Sequence, residues 1–300
     1  MAQIYVVGHK NPDNDSIMAA YAFADLKNRL DTENEYIPVR LGEMPAESSM
    51  IFEENGIEPL KLIDHVEEGD KIALVDHNEL GQAVDGIESA EIVEIIDHHR
   101  IADVSTASPI TFLNMPWGST TSILTMLYDF YGIEIDKKIA TCLLSAILTD
   151  TVILKSPTAT EKDRRHVEKL SKICGVDATE FGMRIFKSRG GDDDVSVSDI
   201  CNRDSKEFNF GGRKCWIAQY ETVDLEGLRS RTAEISEEVA RIQTQGAYDA
   251  ALMLLTDIII EGSDFIAEAF GISFANGPVW MPGVLSRKKQ VAAKLIEFAG

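Results

Sequence analysis

The stretch 8-GHKNPDND-15 decides how the chain is read. It follows the apolar run 3-QIYVV-7 and precedes 16-SIMAAYAFADLKNRL-30, whose apolar residues recur at helical spacing. Pro12 disfavours helical geometry at Asn11, so 9-HKNPD-13 is expected to be a loop at the carboxyl end of a strand. In an open parallel sheet that is where ligands bind. Two more stretches have the same form, since 74-LVDHN-78 and 95-IIDHHR-100 each set Asp and His directly after an apolar run. Of the six histidines, His9, His77, His98 and His99 lie in these strand ends.

Up to about residue 188, short apolar runs alternate with helix-period segments. Strands are expected at 3–8, 36–41, 60–64, 71–76 and 91–97, and helices at 16–30, 46–55, 119–131, 137–149, 160–173 and 177–187. Runs such as IYVV and IALV suit strands covered on both faces, which implies an α/β domain with a parallel sheet. The stretch 188-SRGGDDD-194 packs glycines and aspartates between better-patterned segments and reads as a flexible connection. Beyond it, strands are expected at 195–200, 206–210, 214–223, 248–260 and 264–274, with Gly211 and Gly212 in a hairpin turn. Helices at about 229–245 and 285–298 complete a smaller α+β domain. The organisation expected is a domain at 1–188, a hinge at 189–194 and a second domain at 195–300.

Three hundred residues with 44% hydrophobic content suffice for two domains. Fifty acids against 29 bases give a formal charge of −21, a surface that repels nucleic acid and anionic membrane. The cysteines Cys142, Cys174, Cys201 and Cys215 have no CxxC or CxxH spacing and read as reduced core thiols. No basic segment leads into an apolar one at the N-terminus, and 139-IATCLLSAILTDTVIL-154 is too short and interrupted to span a bilayer. A cytoplasmic protein is the expectation.

An Asp or Asn before a helix, as at 13–15, is by itself most often an N-cap. A single DH after a strand is by itself a turn. Three such signatures at strand ends point instead to converging carboxylates, which without a cation would protonate or push the fold apart. Two divalent metals resolve this, and four aspartates against two such ions are formally neutral. Aspartate oxygens with a minority of imidazoles suit Mn²⁺, with Co²⁺ or Mg²⁺ less well matched, whereas a structural zinc site would use thiolates.

GHKNPDND, VDHN and DHH in this order, followed by 285-LSRKKQV-291, resemble the DHH superfamily and, within it, the manganese-dependent family II inorganic pyrophosphatases. The resemblance runs from His9 to the SRKKQ segment. It implies one metal at His9, Asp13 and Asp76, and a second at Asp15, Asp76, His98 and Asp150, with Asp76 bridging. It also implies that His99, Lys206, Arg287 and Lys288 bind substrate, that the second domain is of the DHHA2 type, and that the protein is a homodimer through the first domain. His77 and Asn78 fit the family's DHN and 155-KSPT-158 resembles a family segment, but neither these nor Lys289 receives a role. No space remains for the regulatory nucleotide-binding insert of longer relatives.

A run such as Arg287, Lys288 and Lys289 is by itself a solvated helix face, but in so acidic a chain it suits a phosphate site, with Ser286 as a helix cap. The expected reaction is attack on Mg-pyrophosphate by a hydroxide bridging two Mn ions, since metal pairing lowers the pKa of water from 15.7 to about 7. Basic groups and metals would meet the charge that develops on the phosphates, and closure at the hinge would bring the cations over the metals. The rival reading is a phosphodiesterase acting on short oligonucleotides or cyclic dinucleotides. Such relatives carry a GGGH-type motif, whereas 189-RGGDDD-194 and 210-FGGRK-214 are followed by no histidine. A short-chain polyphosphatase shares the chemistry and is harder to separate. A metal-loaded sensor without catalysis would lack a ligand or a cation, and none of the matched positions is missing.

Overall fold

The computed structural model of the chain describes residues 2–189, 195–202, 204–269, 272–273, 278–285 and 287–292. Two compact units are present, Met1–Arg189 and Gly190–Gly300. The connection expected at 189–194 lies, beyond Arg189, outside the described residues.

The first unit is built on strands β1 (Ala2–Val7), β2 (Asn34–Arg40), β3 (Lys61–Leu62), β4 (Lys71–Val75), β5 (Glu91–Asp97) and β6 (Thr111–Asn114). They form one six-stranded sheet in the order β3-β2-β1-β4-β5-β6, and every neighbouring pair is parallel. The chain steps outward from β1 to β2 and β3, then returns to β4 on the other side of β1. The strand order therefore reverses between β1 and β4, which leaves a crevice at their carboxyl ends. The first two histidine-bearing motifs follow these two strands, and the third follows β5 beside them.

Helices α1 (Asn14–Leu30), α2 (Ala46–Glu54), α3 (Thr120–Tyr131), α4 (Lys137–Asp150), α5 (Glu161–Cys174) and α6 (Ala178–Ser188) complete the unit. Ile72, Ala73, Leu74 and Val75 are all buried, as expected for a strand covered on both faces. Ile72 and Leu74 pack with Val7, Val39 and Ile95 in one cluster. Each such side chain contributes about 1.5–3 kcal/mol when removed from water. α1 packs against α3, α4 and β2, and its alanines Ala19, Ala20, Ala22 and Ala24 are buried. Strand β6 was not expected from sequence, because four residues between polar loops give too short an apolar signal.

The second unit holds β7 (Ser205–Phe210), β8 (Arg213–Thr222), β9 (Ala250–Asp257), β10 (Gly262–Ala269), β11 (Ile272–Ser273) and β12 (Val279–Pro282). Their order is β11-β10-β9-β8-β7, with β12 on β10. Only β8 and β9 run parallel among the described pairs. Alternation along β8 serves two layers: Trp216, Ala218 and Tyr220 pack with Ile235 and Val239, while Cys215 and Ile217 pack with Leu254, Val291 and Ala292.

Helices α7 (Val197–Asn202), α8 (Leu225–Ser230) and α9 (Thr232–Gly246) and a π-helical turn at Arg287–Ala292 accompany this sheet. The strand expected at 195–200 is thus a helix. The Ser196 hydroxyl accepts a hydrogen bond from Asp199 N at 3.0 Å and donates to Asp199 Oδ2 at 2.7 Å, so local capping overrides the alternating pattern. The stretch 264–274 divides into β10 and β11, and β12 was not foreseen. Of the last helix expected at 285–298, the described part is the π-helical turn; Ser286 and residues 293–300 lie outside the described residues. All four cysteines are buried free thiols. Among the described residues no helix is long and apolar enough to cross a membrane.

Gly8 sets the turn after β1. A Cβ there would overlap Ser16 Oγ, the acceptor for His9 N at 3.0 Å. Gly8→Ala is expected to destabilise the first unit by about 1–3 kcal/mol through overpacking, seen as a lower Tm. Adding Ser16→Ala, which removes the clashing hydroxyl, should recover part of that loss; no recovery would mean that the steric cause is wrong.

Candidate metal centre

Three strand ends and one helix end supply the site. After β1, the His9 ring donates from Nδ1 to Lys10 O at 2.8 Å, which leaves Nε2 as the free ring nitrogen. That Nε2 lies 3.6 Å from Asp13 Oδ1 and 3.6 Å from Asp76 Oδ2. Asp13 is also the N-cap of α1, accepting from Ser16 N at 2.9 Å, so it serves as both a cap and a group of the cluster. Asp76, directly after β4, has φ of +64°, a left-handed conformation costing a non-glycine residue roughly 1–2 kcal/mol. Its N–H stays on the sheet, donating to Ile96 O at 3.0 Å, while the side chain is turned into the crevice.

After β5, His98 donates from Nδ1 to Trp117 O at 3.0 Å. Its Nε2 is 3.4 Å from Asp76 Oδ1 and 3.6 Å from Asp150 Oδ2. Asp150 is the last residue of α4. The side chains fall into two groups joined at one residue: His9, Asp13 and Asp76, and Asp15, Asp76, His98 and Asp150, with the ligand atoms of each group within 4.8 Å of one another. Asp76 turns Oδ2 to the first group and Oδ1 to the second. His99 forms a further group with Asp76 and His98.

Electrostatics favour a cation here. Two carboxylates 4.8 Å apart at an effective dielectric of 20 repel by about 3–4 kcal/mol, so the three pairs among Asp15, Asp76 and Asp150 sum to about 10 kcal/mol. That is as large as the whole stability of a typical domain, about 5–15 kcal/mol. Without metal the acids respond by holding protons. Burial, followed by the charges of Asp15 and Asp13, pushes Asp76 well above the usual carboxylate range, and burial with the charges of Asp15 and Asp76 does the same to Asp150. Burial pulls His9 down, but the contact with Asp13 outweighs it and leaves the imidazole above its ordinary value. Asp76 Oδ2 and His98 Nε2 are buried with no hydrogen-bond partner, so lone pairs face the cluster unused. Oxygen-rich groups with a few imidazoles and no thiolate fit divalent cations of the Mn²⁺ type.

The outer layer is where reading the sequence fell short. Asp15, fully buried, accepts from Ser119 Oγ at 2.7 Å, Thr120 N at 2.6 Å and Thr121 N at 3.1 Å. The N-terminus of α3, with Ser119 as N-cap, thus grips one carboxylate with free amides and its dipole. Thr120 Oγ1 donates to Asp76 Oδ1 at 2.9 Å and orients the shared residue. The signal available was 119-STT-121 at a helix start, but nothing in one dimension says which carboxylate meets it. Asn14, between the two aspartates, faces away, donating to Ser145 Oγ at 3.3 Å and Thr149 Oγ1 at 3.2 Å and so tying α1 to α4.

Asp97, the first acid of DHH, is buried and accepts from His99 N and His99 Nδ1, each at 3.0 Å, and from Asn78 Nδ2. Burial raises its pKa, but these donors, His99 first, outweigh that and hold it below the ordinary value. It is therefore ionised and fixes the His99 tautomer with the proton on Nδ1. His77 is buried and donates from Nδ1 to Val75 O at 2.9 Å; burial pushes it down to about 4, so it stays neutral.

In the second unit, Lys206 is exposed on β7 opposite Ile217 of β8. Arg287 N donates to Gln219 Oε1 at 2.8 Å, and its guanidinium donates to Asp204 O, to Asp204 Oδ1 at 2.7 Å and to Ile217 O at 3.3 Å. The Lys288 and Lys289 side chains lie outside what is described.

Raised carboxylate pKa values give the pH dependence its sign. In the metal-free protein the contribution of protonated Asp76 and Asp150 is full below the ordinary carboxylate pKa, about 3.9, and is lost as pH rises through the raised values. Bound cations replace those protons, so stabilisation by Mn²⁺ should widen over the same window. The difference in Tm with and without Mn²⁺ should be larger at pH 8 than at pH 5; a constant difference would contradict this electrostatic account.

Comparison with known proteins agrees with this geometry. Residues 3–147 match the model of the DHH family, N-terminal domain, and residues 183–298 match the DHHA2 domain. A manganese-dependent inorganic pyrophosphatase of Methanothrix thermoacetophila is 41% identical over 303 residues, covering 97% of each chain. One of Bacillus subtilis is 37% identical over 307 residues, covering 99% of each. A crystal structure from Methanococcus jannaschii, assigned to the family II inorganic pyrophosphatases, superposes with a TM-score of 0.63 at 35% identity over 99% of both chains. An exopolyphosphatase-related protein of Bacteroides fragilis, at 13% identity and a TM-score of 0.54, shares the fold. With relatives this similar along nearly its whole length, and with both domain families matched, the chain belongs to the DHH family, among the manganese-dependent inorganic pyrophosphatases.

Proposed function

We propose that the chain hydrolyses inorganic pyrophosphate to two orthophosphates, with Mn²⁺ held by His9, Asp13 and Asp76 and by Asp15, Asp76, His98 and Asp150. The observation that carries this reading is the pair of ligand groups joined at Asp76, in a chain similar along nearly its whole length to pyrophosphatases. When bound, the cations lower the pKa of coordinated water and screen phosphate charge.

The chain's own residues supply the rest. Asp76 offers one oxygen to each group, and its position is held by Thr120 and by the left-handed backbone. Asp97 holds the Nδ1 proton of His99, which leaves Nε2 of this half-exposed ring for the substrate. Lys206 and Lys288, with the donor capacity that Arg287 keeps beyond its pairing with Asp204, supply the positive charge of the second unit for an anion that arrives with Mg²⁺. In this division of labour the stretch 1–188 holds the metals and 195–300 grips the phosphates. A short-chain polyphosphate is the second candidate substrate, since the chemistry is the same.

A homodimer through the first unit is part of the proposal. β6 is the edge strand of the sheet and carries an exposed Phe112, so unpaired backbone groups lie beside an apolar side chain. Light scattering should give twice the chain mass, and Phe112→Lys should shift it to one; a monomeric wild type would end this reading.

The decisive assay is phosphate release from pyrophosphate, tripolyphosphate and a dinucleotide by Mn²⁺-loaded protein in Mg²⁺. Pyrophosphate should be hydrolysed fastest, and Asp76→Asn should lower kcat at least about a thousandfold, in the range seen for principal catalytic groups, together with bound Mn²⁺. Activity confined to the dinucleotide would favour a phosphodiesterase instead.

A further inference from the structure

We infer that Arg100 is a substrate-binding residue of the first unit, gripping a phosphate group of the anion whose hydrolysis is proposed above; the inference rests on that reading of the site. Arg100 follows DHH and lines a cavity of about 140 Å³ together with His9, Asp76, His77, Gln82 and His99. Pockets for drug-sized ligands run to about 300–1,000 Å³, so this one suits a compact anion.

What sets Arg100 apart is that its guanidinium makes no hydrogen bond and no ion pair among the described residues. Every other described arginine is engaged. Arg29, Arg165, Arg184, Arg189, Arg229 and Arg241 meet carboxylates. Arg40 and Arg164 donate to carbonyls, Arg231 and Arg287 to both kinds of acceptor, and Arg213 also has a partner. In a chain with 50 acids against 29 bases, an arginine left unpaired beside a cluster of aspartates is conspicuous.

The backbone that carries Arg100 is held in place. Asn78 Nδ2 donates to Arg100 O at 3.0 Å, and Asn78 Oδ1 accepts from Ala102 N at 2.5 Å, so the backbone from Arg100 to Ala102 is held. The same Asn78 also donates to Asp97, which holds His99. One asparagine thus holds both Asp97, the partner of His99, and the backbone of Arg100 at the same cavity. A planar guanidinium fork matches two phosphate oxygens. This also gives Asn78, the third residue of DHN, a positioning role.

The test compares wild type, Arg100→Gln and Arg100→Lys in the Mn²⁺-loaded full chain. Readouts are Mn²⁺ content, the calorimetric Kd for orthophosphate, and KM and kcat for pyrophosphate. Arg100→Gln should weaken orthophosphate binding and raise KM by about tenfold or more, the scale of a hydrogen bond to a charged group, with Mn²⁺ content unchanged. Arg100→Lys, which keeps the charge and loses the fork, should fall between. Unchanged Kd and KM in Arg100→Gln would overturn the inference while leaving the proposed hydrolysis standing, and so would loss of Mn²⁺, which would place Arg100 in the metal shell instead. If Arg100→Gln does not fold, Arg100→Lys decides, and a wild-type Kd there would overturn the bidentate grip. If wild type binds orthophosphate but hydrolyses no pyrophosphate, the proposed function fails, and weaker binding by the variant still assigns Arg100 to an anion site.

Discussion

Mutual repulsion among carboxylates at the carboxyl edge of the first sheet is the constraint on which the rest depends. Asp13, Asp15, Asp76 and Asp150 come from two strand ends and a helix end into groups joined at Asp76, where burial and neighbouring charge push the carboxyls of Asp76 and Asp150 well above the usual range. The sheet topology makes the meeting unavoidable, because the order reverses between β1 and β4 and leaves their ends facing one crevice. The fold therefore contains a locally unfavourable arrangement that protons relieve partly and divalent cations relieve fully. That coupling links stability, pH and proposed chemistry in one place.

A second layer keeps the arrangement from relaxing. Asp15 is held by the amides that open α3, Asp76 by Thr120 and a left-handed backbone, and His98 by the Trp117 carbonyl. Each bond fixes either an oxygen or a ring nitrogen so that a lone pair is left facing inward. Such outer partners convert flexible side chains into a set with little freedom left to lose on binding. The strain at Asp76 is small against the repulsion it helps to maintain.

Positive charge is distributed with equal economy. Nearly all described arginines are committed to acids or carbonyls, including Arg287, whose guanidinium ties the π-helical turn to the start of β7 and to β8. Arg100 differs: Asn78 holds its backbone, and its head group has no hydrogen bond or ion pair among the described residues. The same asparagine reaches Asp97 and through it His99, so DHN and DHHR act as one unit rather than as two motifs.

The parallel sheet and the strand ends that carry the site were legible in the sequence, because strands covered on both faces leave near-continuous apolar runs and Asp and His stand directly after them, whereas the six ligand candidates, Asp150 among them, came as a set only from the family resemblance. Burial of the four cysteines was legible for a similar reason, the absence of any pairing pattern. The helix at Val197–Asn202 was not, since a single serine hydroxyl outweighed an alternating pattern, and β6 and β12 were too short to leave one. Nor could the sequence say that Ser119, Thr120 and Thr121 would meet Asp15, residues more than a hundred positions away, or that Arg287 would be occupied and Arg100 free. Residue chemistry and periodicity are local properties and can be read along the chain. Which oxygen faces which donor depends on how distant segments close on one another, and only the folded chain decides that.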